Sequence, residues 1–122
     1  MRVYVSHAKK DNFMENLYNP IKNSELTQNN QFIFPHEGNE NIDTEKLFRD
    51  RACDIVLAEV SVPSTGQGIE LGYAKLLNVP IICIYKKGSE IAGSLKWITN
   101  QFIEYSDSED FIKQLKSVMK ER

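Results

Sequence analysis

Glu70 is the residue of this sequence best placed to do chemistry. It follows the glycine-bearing loop Pro63-Ser64-Thr65-Gly66-Gln67-Gly68-Ile69, and that spacing puts it in the first turn of the helix the loop opens. There the unsatisfied N–H groups and the macrodipole favour an ionised carboxylate. Gly66 and Gly68 permit left-handed or crowded backbone, so main-chain N–H groups can turn toward an anion. A carboxylate beside a phosphate-sized nest of amides is the arrangement a glycosyl-transferring nucleophile needs. The same pattern also fits a solvated partner of the helix dipole.

A second polar cluster lies near the start of the chain. Ser6-His7-Ala8-Lys9-Lys10-Asp11 follows the apolar Val3-Tyr4-Val5, and Asp11 can cap a helix carrying Phe13, Met14, Leu17 and Tyr18. Lys10 can meet a phosphate or stand solvated, and His7 can bind substrate or lie exposed. His36, in the turn Pro35-His36-Glu37-Gly38, can reach a ligand's base or sugar or be a plain loop residue. Glu59 ends an apolar run and is either held by loop amides or holds a sugar. Cys53 and Cys83 lack a second pair at metal spacing and read as buried thiols; neither metal nor cofactor is implied.

The elements that must position these groups can be read in order. Strands are expected at Met1–Val5, Gln31–Phe34, 54–60, Pro80–Tyr85 and Gln101–Tyr105. Between them, Pro20 interrupts the first helical pattern, residues 23–31 read as a polar connection, and a helix with a narrow apolar face begins near Asp43-Thr44. Further helices are expected over Gly68–Leu77, stopped by Asn78, and within Ser89–Ile98, which holds Ser94. A last helix with Phe111, Ile112, Leu115 and Met119 on one face follows the capping-box pattern Ser106-Asp107-Ser108-Glu109.

Strands alternating with helices imply a parallel sheet covered on both faces. The expected fold is α/β, a single doubly wound, flavodoxin-like domain over residues 1–122 with a five-stranded parallel sheet in the order 2-1-3-4-5. That order changes direction between strands 1 and 3, which places a crevice between the Ser6–Asp11 and Ser61–Glu70 loops. With 122 residues, 41% hydrophobic and 26% charged, the chain reads as an ordinary globular protein. A net charge of −2 argues against a general nucleic-acid binder. The absence of a long apolar run or a basic-then-apolar leader points to a cytoplasmic protein without a membrane partner.

The segment Pro63-Ser64-Thr65-Gly66-Gln67-Gly68-Ile69-Glu70-Leu71-Gly72 resembles the signature of the nucleoside 2-deoxyribosyltransferase superfamily, most closely that of the 2'-deoxynucleoside 5'-monophosphate N-hydrolases. The resemblance implies that Glu70 is the nucleophile, that Tyr4 lines the pocket beside it, that Lys10 stands where a phosphate-binding Arg usually occurs, and that His36 sits close to the substrate. It implies that Ser64, six residues before Glu70, holds a 5'-phosphate; Ser6, His7, Gly66 and Gly68, in the two loops, are further candidate substrate contacts. Ser94, twenty-four residues after Glu70, matches a serine contributed by a neighbouring subunit, which implies a homodimer. The implied reaction is cleavage of the N-glycosidic bond of a (deoxy)nucleoside or its 5'-monophosphate, by hydrolysis or base exchange.

One position departs from the pattern. The usual acid, an Asp twenty-four residues before the nucleophile, is Lys46 here. Asp43 and Asp50 flank it on one helical face, and Asp43 lies nearer the ligand end of a helix descending from it. Asp43 is the substitute this reading favours. Two rivals remain: the opening Val3–Asp11 also resembles a Toll/interleukin-1 receptor-like domain, whose enzymes cleave NAD, and Lys46 is compatible with a non-catalytic nucleotide sensor.

Overall fold

The computed structural model describes residues 1–10, 12–38 and 41–120. The cap assigned to Asp11 lies outside them. Five parallel strands, β1 (Arg2–His7), β2 (Gln31–Ile33), β3 (Ile55–Glu59), β4 (Ile81–Lys86) and β5 (Phe102–Tyr105), form one sheet in the order β2-β1-β3-β4-β5. Four α-helices are described: α1 (Asn19–Lys22), α2 (Thr44–Arg49), α3 (Thr65–Leu76) and α4 (Ser108–Lys120). The α/β class and the strand order expected from the alternation of elements are those observed.

The strands read as near-continuous apolar runs because both sheet faces are covered. Ile55 through Ala58 and Ile81 through Ile84 are all buried. Period-two alternation sends Val3 and Val5 into a core with Tyr18, Phe111 and Leu115 of the α1 and α4 side. Tyr4 points the other way, into a core with Phe48 of α2 and Leu71 and Ala74 of α3. Its ring meets Phe48 edge-on at 5.7 Å. β1 pairs with both β2 and β3, with His7 opposite Glu59, so the loops leaving β1 and β3 part at this end of the sheet.

Several elements differ from expectation. β1 runs two residues further and takes in Ser6 and His7. Pro20 does not end the first helix. A π-helical turn, Met14–Tyr18, passes directly into α1, whose second residue is Pro20, and the Asn19 N–H reaches back five residues to the Met14 carbonyl. The polar stretch after it holds a 3-10 turn, Glu25–Gln28, capped by Ser24 and anchored by buried Leu26. Helix α3 starts at Thr65 rather than Gly68, because the Ser64 hydroxyl accepts the Gln67 N–H and caps the helix earlier. Asn78 leaves it at φ 62°, the left-handed exit an asparagine tolerates. Within Ser89–Ile98 only the 3-10 turn Gly93–Trp97 forms. The cap of α4 shifts by one residue: Asp107 accepts the Asp110 N–H at 2.8 Å, and Asp110 reaches back to the Ser106 N–H at 2.9 Å.

Candidate active site

Because α3 begins early, Glu70 is its sixth residue and sits in the second turn, not the first. Gly66 and Gly68 are likewise helical and do not adopt left-handed backbone. The nest expected of them is replaced by the exposed first turn of a twelve-residue helix, whose amides have no intrahelical acceptor. A Cβ added at Gly66 or Gly68 would meet nothing within 4 Å, so this end of the helix is open to an approaching anion. Gln67, buried in the same turn, donates to the Glu59 carbonyl at 2.9 Å and pins the start of α3 to the end of β3.

Tyr4 and Glu70 meet across the α3 face of the sheet, the hydroxyl donating to Glu70 Oε2 at 2.6 Å. Burial raises the Glu70 carboxyl above the ordinary carboxylate range, and the bond from Tyr4 offsets part of that rise. The expected helix-dipole stabilisation of the ionised form is therefore outweighed. Burial and the adjacent Glu70 charge push the Tyr4 phenol upward, so it stays a hydrogen-bond donor. Ser6 lies two residues along β1 on the Tyr4 face, and its buried Oγ has no hydrogen-bond partner among the described residues.

His7 is neither exposed nor open to a ligand through its nitrogens. Its Nδ1 lies 2.8 Å from the Ala8 carbonyl, which can only accept, so Nδ1 carries the proton. Nε2 then accepts from the Tyr18 hydroxyl at 2.6 Å, and the Tyr18 oxygen accepts the His36 backbone N–H at 3.2 Å. The His7 ring stands edge-on to that of His36 at 5.0 Å and lies 4.7 Å from Phe13. Burial lowers both imidazole pKa values and raises the Tyr18 phenol to about 12, so these groups are neutral near pH 7. Tyr18 was legible only as an apolar helix position; a hydroxyl on an otherwise apolar face was the one signal of this role.

A cavity of about 710 Å³ opens at the carboxyl end of the sheet, with His7, Lys10, Phe13, Glu59 and Ser61 in its wall. It occupies the expected crevice but lies on the α1 and α4 side, and neither Glu70 nor Tyr4 lines it. Asp43 caps α2, accepting the Lys46 N–H at 3.1 Å. Asp50 is at the opposite end of that helix, paired with the Lys46 ammonium at 2.6 Å. Ser94 is exposed in the turn that also presents Trp97. Cys53 and Cys83 are buried free thiols, raised by burial to about 11 and about 12.

No family model matches the chain. A protein of Syntrophotalea carbinolica with the provisional name 2'-deoxynucleoside 5'-phosphate N-hydrolase 1 is 48% identical over 40 residues, 33% of this chain and 28% of that protein. One of the same name from Thermofilum pendens is 31% identical over 72 residues, 55% of this chain and 50% of that protein. The 5-hydroxymethyl-dUMP N-hydrolase of Mus musculus is 49% identical over 39 residues, 32% of this chain and 22% of that protein. The chain thus spans half or less of the length of these curated relatives. A CMP N-glycosidase of Clostridium botulinum superposes with a TM-score of 0.70 over 97% of this chain and 99% of that one, at 22% identity, and has the same fold. The resemblance carried by Pro63–Gly72 agrees with the names of these relatives. No helix among the described residues is long and apolar enough to cross a membrane.

Proposed function

We propose that residues 1–122 form one nucleoside deoxyribosyltransferase-like domain that cleaves the N-glycosidic bond of (deoxy)nucleoside 5'-monophosphates, with Glu70 as nucleophile. The observation that carries this reading is the Tyr4–Glu70 hydrogen bond, 2.6 Å long, next to the open first turn of α3. Tyr4 orients one carboxylate oxygen and leaves Oε1 free to attack C1'. As the O–C1' bond forms, the C1'–N bond breaks and the base departs with its electron pair, taking a proton from an acid. Water then attacks C1', releases the sugar phosphate and returns the Glu70 carboxylate. A free base taking the place of water would give exchange instead.

The 5'-phosphate is assigned to the α3 N-terminus, to Ser64 and the amides of Thr65 and Gly66, where a Cβ on Gly66 would meet nothing within 4 Å, and Lys10 adds a cation at the same end of the sheet. His36, stacked edge-on with His7 and held through Tyr18, is a neutral wall for the base. Asp43 is the acid, at the end of α2 nearer the carboxyl ends of the strands. The names of the curated relatives and of the structural neighbour support the substrate class.

The site is completed in a homodimer. Helix α3 leaves Ile69 53% and Leu76 81% exposed on one face, and Trp97 is 74% exposed three residues after Ser94. Such apolar side chains, in the elements that carry Glu70 and Ser94, suit a second copy of this chain and bring Ser94 in trans. One observation favours a second reading, a nucleotide sensor: the ammonium of Lys46 is committed to Asp50 and supplies no acid. Mass spectrometry of acid-quenched protein with a slow 2-fluoro-substituted deoxynucleotide decides between them. An adduct on the Glu70 peptide is expected; bound nucleotide without adduct or base release would establish the sensor.

A further inference from the structure

Apart from His7 and Lys10, the cavity on the α1 and α4 side has chemistry the proposed reaction does not use. Its floor is Glu59, whose Oε1 accepts the Ser61 N–H at 2.7 Å and whose Oε2 accepts the Ser61 hydroxyl at 3.0 Å together with the Tyr105 hydroxyl. Ser61 is fixed in turn, its Oγ accepting the Lys86 N–H at 2.8 Å. A carboxylate has about four acceptor positions, so this network leaves one on Oε1 for a donor in the cavity. Lys10 and Lys86 line the same wall and have no ion-pair partner among the described residues. The remaining acid of the wall, Asp107, is occupied in capping α4. Phe13 and Tyr105 add aromatic surface. About 710 Å³ is the size of site that takes a nucleotide-sized molecule rather than a single ion or amino acid.

We propose that this cavity is a second ligand site, on the sheet face opposite Glu70, for a nucleoside 5'-monophosphate whose base carries an exocyclic amine. The amine donates to Glu59 Oε1, the base lies along the aromatic wall, and the phosphate meets Lys86 at the rim. Glu59 is bonded to Tyr105, which packs in the α1 and α4 layer, while Glu70 is bonded to Tyr4, which packs in the other. The proposal concerns binding alone and holds whether or not Glu70 catalyses.

The test is residue-resolved NMR titration of the Glu70→Ala chain, which lacks the proposed nucleophile, with adenosine 5'-monophosphate and with purine riboside 5'-monophosphate, which lacks only the amine. Adenosine 5'-monophosphate is expected to shift the Ser61, Lys86 and Tyr105 amides, and the analogue to do so at least tenfold more weakly. Adding Glu59→Gln or Lys86→Ala should weaken those shifts by a similar factor and leave any titration of the Ser64–Ile69 amides unchanged. Lys86→Ala keeps the backbone bond to Ser61 and so tests the site with its floor intact. Shifts confined to the start of α3, or equal binding of the two nucleotides in all variants, would overturn the second site.

Discussion

Tyr4 reaches Glu70 from the strand beneath it, and the bond between them opposes the burial that raises the carboxyl. The sign of a Tyr4→Phe change follows. Without the hydroxyl, burial acts alone, the Glu70 pKa rises further, and the ionised fraction at a given acidic pH falls. The acid limb of a pH–rate profile should move to higher pH, with less effect on the plateau above it. An unshifted limb would show that Tyr4 does not tune the nucleophile. The reading of Glu70 as a candidate rested on residue type and spacing, and those were legible. Its environment was not, because the capping hydroxyl of Ser64 decides where α3 begins, and a start three residues earlier moves Glu70 from the dipole-stabilised first turn into a half-buried second one.

At the scale of elements, helix α2 separates two roles of Asp43. Its carboxylate caps the helix, and the proposed reaction asks it for a proton. Asp43→Asn keeps a good cap and removes the acid, so turnover should fall by about 10²–10⁴-fold while the unfolding midpoint barely moves. Asp43→Ala should lose the same activity and about 1 kcal/mol of stability by chemical denaturation. A variant losing stability alone would leave Asp43 a cap and nothing more. The strands, their order and the final helix were legible because two-sided burial writes continuous apolar runs and α4 writes a clear apolar face. The region from Phe13 to Gln28 was not. Its π turn, Pro20 and 3-10 turn are fixed by the burial of Leu17, Tyr18, Ile21 and Leu26, a tertiary requirement that local propensity does not carry. The crevice was foreseen at the right end of the sheet, but which face it opens on depends on side-chain packing around His7.

At the scale of the whole molecule, a site completed by Ser94 in trans makes turnover depend on assembly. Leu76→Glu with Trp97→Glu should convert a dimer to monomers in sedimentation and abolish base release, while circular dichroism stays native. Glu70→Ala and Ser94→Ala chains, each inactive alone, should recover about a quarter of native activity when mixed, since random pairing gives one intact site in half of the dimers. A monomer with full activity would remove Ser94 from the site.

Whether Glu70 cleaves nucleotide N-glycosidic bonds is decided by free-base release. The panel is deoxynucleoside monophosphates, deoxynucleosides, ribonucleoside monophosphates and NAD, with native protein and Glu70→Ala side by side. Turnover of monophosphates is expected to exceed that of the other substrates and to fall by at least about 10³-fold in the variant. Equal turnover in the two proteins, or release from NAD alone, would contradict that role of Glu70.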